Sequence, residues 1–253
     1  MSPRVALEGV TFTYPGAPAA ALRDVSLAIE GGTVTGVTGA VGAGTSTLLL
    51  VAGGFAPRLT GGSLTGRRDI ATSRAGIVFA TPWTQLTGLA ATVRAEVAFG
   101  PASEGLLREA VLAACATAMR DLGIAHLADR DPGTLSGGEL QRVVVASVLA
   151  MEPELLVLDD PAAELDPAGA DALYALLPAL ARRGTAVLVA TPDVERLART
   201  VGRVLVMEGG RVVRDGPPAA VLDDTDVARI ARASGCPAPY PLDVQAALAR
   251  LGR

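Results

Sequence analysis

Gly39-Ala40-Val41-Gly42-Ala43-Gly44-Thr45-Ser46-Thr47 has the spacing of a phosphate-binding loop with its lysine replaced. Such a loop sets four free residues between two glycines and follows the second with Lys and then Ser or Thr. Gly39 and Gly44 stand at that spacing, and Ser46 stands where a magnesium-binding hydroxyl belongs, but the residue between them is Thr45. The flanks fit the loop. Thr33 to Val37 is β-rich and Ser46 to Ala52 reads as a helix, which gives the order strand, glycine loop, helix. Backbone N–H groups of such a loop, with the start of the following helix, form a cradle for anions. The stretch keeps the shape of a nucleotide site and lacks one of its charges.

No other lysine can fill the gap. All 22 basic residues are arginine, whose planar fork is not a like-for-like substitute for an ammonium group. The net charge of -4 argues against non-specific nucleic-acid binding. With 253 residues, half of them hydrophobic, the chain can build one large α/β domain or two small ones. Cys115 and Cys236 lack a CxxC spacing and read as small apolar residues in a reducing compartment. His126, the single histidine, cannot make a metal site alone. The start of the chain reaches Arg4 and Glu8 without an apolar run, so no signal peptide is expected. Residues 31–57 carry no charge, but their eight glycines argue against a membrane span.

Outward from the loop, Arg4 to Val10 and Leu22 to Ile29 are strand candidates. Tyr14, in the turn Tyr14-Pro15-Gly16, is either a partly buried turn aromatic or a platform for a base. Ile77 to Phe79 is a short apolar strand ending at Ala80, and residues 81–101 contain Pro, Thr and Gly. Leu107, Val111, Ala114, Ala118 and Leu122 recur at helical spacing, so a helix is expected over Glu104 to Leu122. Leu135-Ser136-Gly137-Gly138-Glu139-Leu140-Gln141-Arg142 opens a further helix with a capping hydroxyl, permissive backbone and a helix dipole. Leu155 to Leu158 is an unbroken apolar run ending in Asp159 and Asp160, as expected of a parallel strand buried on both faces. After Glu164-Leu165-Asp166-Pro167 a helix is expected to about Arg182, then a strand over Ala186 to Ala190 ending at Thr191-Pro192-Asp193. Val204 to Met207 and Arg211 to Val213 form an expected hairpin across Gly209-Gly210, and the tail from about Asp223 holds two helix candidates.

In this order, the P-loop frame, the Leu-Ser-Gly-Gly-Glu segment and the strand ending in Asp-Asp-Pro resemble an ABC-transporter ATPase subunit. Val97-Ala98-Phe99-Gly100-Pro101 is similar to the cobalt and energy-coupling-factor branch, whose ATPase subunits drive vitamin and metal uptake. The resemblance implies an α/β P-loop core with a mostly parallel sheet, an N-terminal antiparallel β-subdomain and an inserted helical subdomain. The ATPase domain is placed at residues 1–222, the helical insertion at about 86–151 and a short helical tail at 223–253. It also implies ATP and Mg²⁺, transmembrane partner subunits, no membrane span of its own, and a peripheral cytoplasmic location on the inner face of the membrane. Two such subunits pair head to tail, with each ATP between one P-loop and the other subunit's Ser-Gly-Gly segment.

Position by position the resemblance is uneven. Tyr14 falls at the adenine-stacking aromatic. Gly39, Gly42, Gly44, Ser46 and Thr47 fall in the loop, with Thr45 in place of its lysine. Asp159 and Ser46 fall at the magnesium-side positions, and Asp160 at the catalytic glutamate, one methylene short. Ala80 stands for a glutamine and Pro192 for a histidine; Gln85 comes five residues too late to stand in for the glutamine. Leu165, Asp166 and Pro167 match the loop that crosses the dimer, and Ser136, Gly137, Gly138, Glu139 and Gln141 match the segment that serves the partner's ATP. The missing lysine contact is worth about 1.5–3 kcal/mol, or about 10- to 100-fold in affinity. Losing a positioned base costs about 10²–10⁴ in rate. Four departures at one site, with an intact trans segment, give the expectation of a catalytically degenerate half of a heterodimer beside an ATPase with an intact P-loop. The alternative readings are an ordinary homodimeric ATPase that recruits an arginine, and a nucleotide-responsive scaffold without transport.

Overall fold

The computed structural model describes residues 3–222. The helix candidates of the tail lie outside the described residues. Two sheets lie back to back. The larger has six strands in the order β5-β6-β7-β3-β8-β9, formed by Ala75–Val78, Leu155–Asp159, Ala186–Ala190, Val34–Gly39, Arg203–Glu208 and Arg211–Gly216. All neighbours are parallel except the closing β8–β9 hairpin. The smaller sheet is antiparallel, in the order β2-β1-β4, with β1 at Val5–Thr13, β2 at Leu22–Ile29 and β4 at Ser63–Ile70.

Side chains alternate across the large sheet, so one strand feeds two cores. Val37, Leu155, Val157, Leu188, Leu205 and Met207 face the small sheet and helix α1 (Thr45–Ala52). Val34, Leu156, Leu158, Val187, Val189, Val204 and Val206 face the opposite way. There they meet α4 (Gly137–Leu149), α5 (Pro167–Arg182) and α6 (Val194–Thr200). Every residue of β7 is buried, which is why its sequence reads as a continuous apolar run.

Three helices stand between β5 and β6: α2 (Val93–Ser103), α3 (Arg108–Asp121) and α4. Helix α2 lies within the stretch of about 86–151 expected to be a helical insertion, although the sequence marks no separate helix there. Thr92 caps it by accepting from Ala95 N at 3.2 Å, and Gly100 admits Met151, whose sulfur would lie 2.7 Å from a Cβ there. Gly100-Pro101 reads as a helix stop but sits in the last turn, where packing overrides propensity. Gly105 takes φ +77° and separates α2 from α3, so the helix expected from Glu104 starts at Arg108. Helix α6 and strand β4 carry no such signal in sequence. β4 is a polar outer strand, Ser-Leu-Thr-Gly-Arg-Arg-Asp-Ile, with none of its residues fully buried. A short helix, α7 (Pro218–Val221), closes the described chain.

The β1–β4 pairing shifts register between Glu8 and Thr11, where Gly9 and Gly66 both take positive φ. A Cβ on Gly66 would lie 2.4 Å from the Gly9 carbonyl oxygen, whereas Gly88, also at positive φ, has nothing within 4 Å. Gly66→Ala is expected to lower the urea midpoint well beyond Gly88→Ala, since both share the backbone strain and only the first adds a collision. Equal losses in paired denaturant melts would count against this account of the bulge.

Candidate nucleotide site

Parallel register gathers the candidate residues at one edge. Val37 pairs with Ala190, Asp159 with Ala190, and Val78 with Leu158. Counting one or two residues beyond these pairs brings Gly39, Ala80, Asp160, Thr191 and Pro192 to the carboxyl ends of adjacent strands, where open α/β sheets bind ligands. Three of the four positions that depart from the expected pattern, Ala80, Asp160 and Pro192, lie just beyond these strand ends, and Thr45 opens α1 after the loop that follows β3.

The loop after β3 is held by backbone packing. A Cβ on Gly39 would lie 2.5 Å from the Met207 carbonyl oxygen, and one on Gly44, at φ +100°, would lie 2.8 Å from that of Ala21. Gly210 N, in the β8–β9 turn, donates to Ala43 O at 3.0 Å. Gly42 is different: φ is +81° and nothing lies within 4 Å of its missing Cβ. Gly44 caps α1 without a side-chain bond, and the first turn holds no acid, so the leading N–H groups of α1 have no side-chain acceptor at the cap. Thr45 and exposed Ser46 open the helix, and buried Thr47 has its hydroxyl 3.2 Å from that of Tyr14. Tyr14 meets Phe12 edge to face at 4.9 Å.

The Ser46 hydroxyl lies against the Asp159 carboxylate. A hydroxyl beside a carboxylate is an oxygen set suited to Mg²⁺, which takes one or two protein ligands and completes its shell with water and phosphate. No cluster of three or more metal-binding side chains occurs among the described residues. Burial raises the Asp159 pKa, opposed by the Ser46 hydroxyl. Asp160 is also raised, chiefly by burial, with the Thr191 hydroxyl opposing and Asp159 and Asp193 adding. Asp160 sits at φ +45°, a conformation aspartate tolerates better than most side chains. Thr191 Oγ1 donates to Asp160 Oδ1 at 3.1 Å, so the carboxylate is held by the residue just before Pro192. Beneath them Tyr174 is buried with its hydroxyl unpartnered, beside Thr191, and Arg196 lies 5.4 Å from its ring centre. Thr191 and Tyr174 were not legible as site residues, because nothing in the spacing marks them.

Ala80 brings no polar side chain to the edge. Gln85 does not replace it: its Oε1 accepts from Phe79 N at 2.6 Å and its Nε2 donates to Ile77 O at 2.9 Å. The amide is thus spent on the outer strand β5.

At the start of α4, Ser136 forms a capping box. Its Oγ accepts from Glu139 N at 3.3 Å, while Glu139 Oε2 accepts from Ser136 N at 2.8 Å. These Ser136 bonds, with Arg130 nearby, hold the Glu139 carboxyl below the usual carboxylate range. Gln141 is a correction to the sequence reading. It is completely buried and its Nε2 donates to Phe79 O at 3.5 Å, so it ties α4 to the end of β5 and does not face a partner's nucleotide.

This geometry defines a P-loop nucleotide-binding fold, and residues 22–163 match the family model described as ABC transporter. The chain belongs to the ABC transporter family, as an ATP-binding domain. A cobalt import ATP-binding protein, CbiO, of Rhodobacter capsulatus is 40% identical over 99% of this chain and 90% of its own length. An energy-coupling factor transporter ATP-binding protein, EcfA2, of Methanospirillum hungatei is 36% identical over 92% of this chain, which spans 60% of that relative. The solved structure of CbiO1 from Clostridium perfringens, described as part of the ABC transporter complex CbiONQ, superposes with a TM-score of 0.76. It is 30% identical, over 90% of this chain and 94% of its own.

A half-buried aspartate with a raised pKa destabilises the fold once ionised. Its favourable contribution is complete below the ordinary value of 3.8 and is lost as pH rises through the raised value. Asp159→Asn is therefore expected to raise the thermal midpoint of the nucleotide-free chain at pH 7, with the gain shrinking toward pH 4. Melts across that range, with and without MgATP, check it: the variant should also lose stabilisation by magnesium.

Proposed function

We propose that this chain is the ATP-binding subunit of an energy-coupling-factor or cobalt-type importer, and that it is the catalytically degenerate half of a heterodimer. The observation that carries this reading is the contrast between its two halves of an ATP site. At the P-loop edge, Thr45, Ala80, Asp160 and Pro192 remove or shorten four groups around one phosphate. At α4, the Ser136-Gly137-Gly138-Glu139 segment is complete and its capping box is formed.

In this reading Tyr14 faces the base, and the loop from Gly39 through Gly42 and Gly44 to Thr47 holds phosphates by backbone N–H groups. Ser46 and Asp159 hold Mg²⁺, which supplies charge neutralisation at the phosphates when bound. Thr45 adds no cation, and Pro192 offers the terminal phosphate no donor. Asp160 is drawn back one methylene and is already engaged by Thr191. Nucleotide bound here has a structural role. Ser136 and the N-terminus of α4 instead face the nucleotide of a partner ATPase with an intact P-loop, where preorganised donors meet developing charge. Leu165, Asp166 and Pro167 lie at the crossing between subunits. Hydrolysis at that one site drives the transmembrane subunits.

The helical insertion and the segment after β5 present exposed apolar side chains, among them Trp83 at 52%, Leu89 at 80% and Phe99 at 45% exposure. Such a patch suits a membrane-embedded partner. No helix among the described residues is long and apolar enough to cross a membrane. In this reading the subunit sits on the cytoplasmic face, attached through its partners. Metal or vitamin import follows from the relatives' names and is assigned on that basis.

In the reconstituted complex, Ser136→Ala is expected to abolish ATPase activity while Ser46→Ala changes it by less than about twofold, since only the first touches the working site. Equal damage from both would sink the asymmetric arrangement. Thr45→Lys alone should give the isolated chain no turnover, because Ala80 and Pro192 remain.

A further inference from the structure

The space in front of Gly137 and Gly138 is already occupied by this chain. A Cβ on Gly138 would lie 3.1 Å from the Glu164 carbonyl oxygen. One on Gly137 would lie 2.9 Å from Glu164 Oε2 and 3.8 Å from Glu164 Cβ. The loop that carries Glu164 is fixed from both sides. Ala163 N donates to Asp160 O at 3.1 Å and Leu165 N to Ala162 O at 3.0 Å. Asp166 caps α5 by accepting from Gly169 N at 2.8 Å, and Ala162 and Leu165 pack on the core. The root of the Glu164 side chain is therefore held against the first turn of α4, whichever way its carboxylate turns.

The carboxylate is exposed and makes no ion pair among the described residues. Glu139, the other acid at this helix end, is committed to Ser136 and Arg130. An uncommitted carboxylate is attracted to the positive end of a helix. It stands where, on the trans reading above, the partner's terminal phosphate would meet Ser136 and the N–H groups of α4. Two anions cannot share that place without repulsion.

We propose that Glu164 is an autoinhibitory anion: it covers the N-terminus of α4 in the open state, and ATP-driven closure of the heterodimer must displace it. This rests on the trans role of Ser136. The contact sets an ATP threshold for closure. With no nucleotide in the partner, Glu164 neutralises the helix end; with MgATP in place, it swings out toward solvent. Repulsion of this kind weakens as salt rises, because the pair is exposed and screened.

The test uses the complete complex with its partner ATPase and transmembrane subunits. ATPase rates are measured against MgATP concentration at low and high salt for the wild type, Glu164→Gln, Glu164→Ala and Ser136→Ala. Both Glu164 variants are expected to lower KM for ATP about fivefold, the size of a like-charge contact in water, with kcat little changed. High salt should narrow that gap. An unchanged or increased KM in both variants, alongside an inactive Ser136→Ala complex, overturns the gate and leaves the trans reading standing. An active Ser136→Ala complex overturns the trans reading and the gate with it. Thermal melts of the two Glu164 variants separate a change in closure from a loss of fold.

Discussion

The hydrogen-bonded register among β3, β6 and β7 is the constraint on which the molecule depends. It sets Val37, Asp159 and Ala190 side by side at the carboxyl edge, and everything said of the site follows from the residues just beyond. Slipping one strand by a residue would exchange its two faces and send Leu188 and Val189 into each other's cores. Register is therefore enforced by burial on both faces, far more strongly than by any contact within the site. The edge does not depend on polar side chains, because none of them holds the sheet together.

Much of this was readable from sequence. Strands β2 and β7 occupy the expected residues, as does the hairpin across Gly209-Gly210. β7 is a wholly apolar run and the buried positions of β2 are apolar, so composition and tertiary demand agree. Strand β4 and helix α2 were not readable. β4 takes its place from its neighbour β1 and a glycine bulge, and α2 from packing against α4 and Met151. Long-range contacts decided both, against local preference. At the site, the spacing of motifs located the nucleotide edge and the α4 segment. It could not tell that Gln141 points inward, or that Thr191 grips Asp160. Both depend on side-chain direction at an element's end, which motif spacing does not encode.

Two carboxylates at the start of α4 illustrate how neighbours divide work. Glu139 is consumed by capping, and its depressed pKa records that commitment. Glu164, against Gly137 and Gly138 of the same helix end, has no such partner among the described residues. The same helix end thus carries one acid that stabilises the fold and one that remains available to respond to charge. Asp159 and Asp160 make the opposite case: burial raises both, and the only relief comes from the hydroxyls of Ser46 and Thr191.

The packing of Gly39 and Gly44 has a further consequence. Their missing side chains leave room for the carbonyls of Met207, in β8, and of Ala21, just before β2. A larger residue at either place would collide with backbone whether or not a nucleotide ever bound. Folding alone is thus enough to keep a glycine frame in a chain with Thr45 at the lysine position. Across divergent copies of this domain, an intact glycine pattern is then a record of architecture, and the erosion of chemistry must be read from the side chains that hold nothing up.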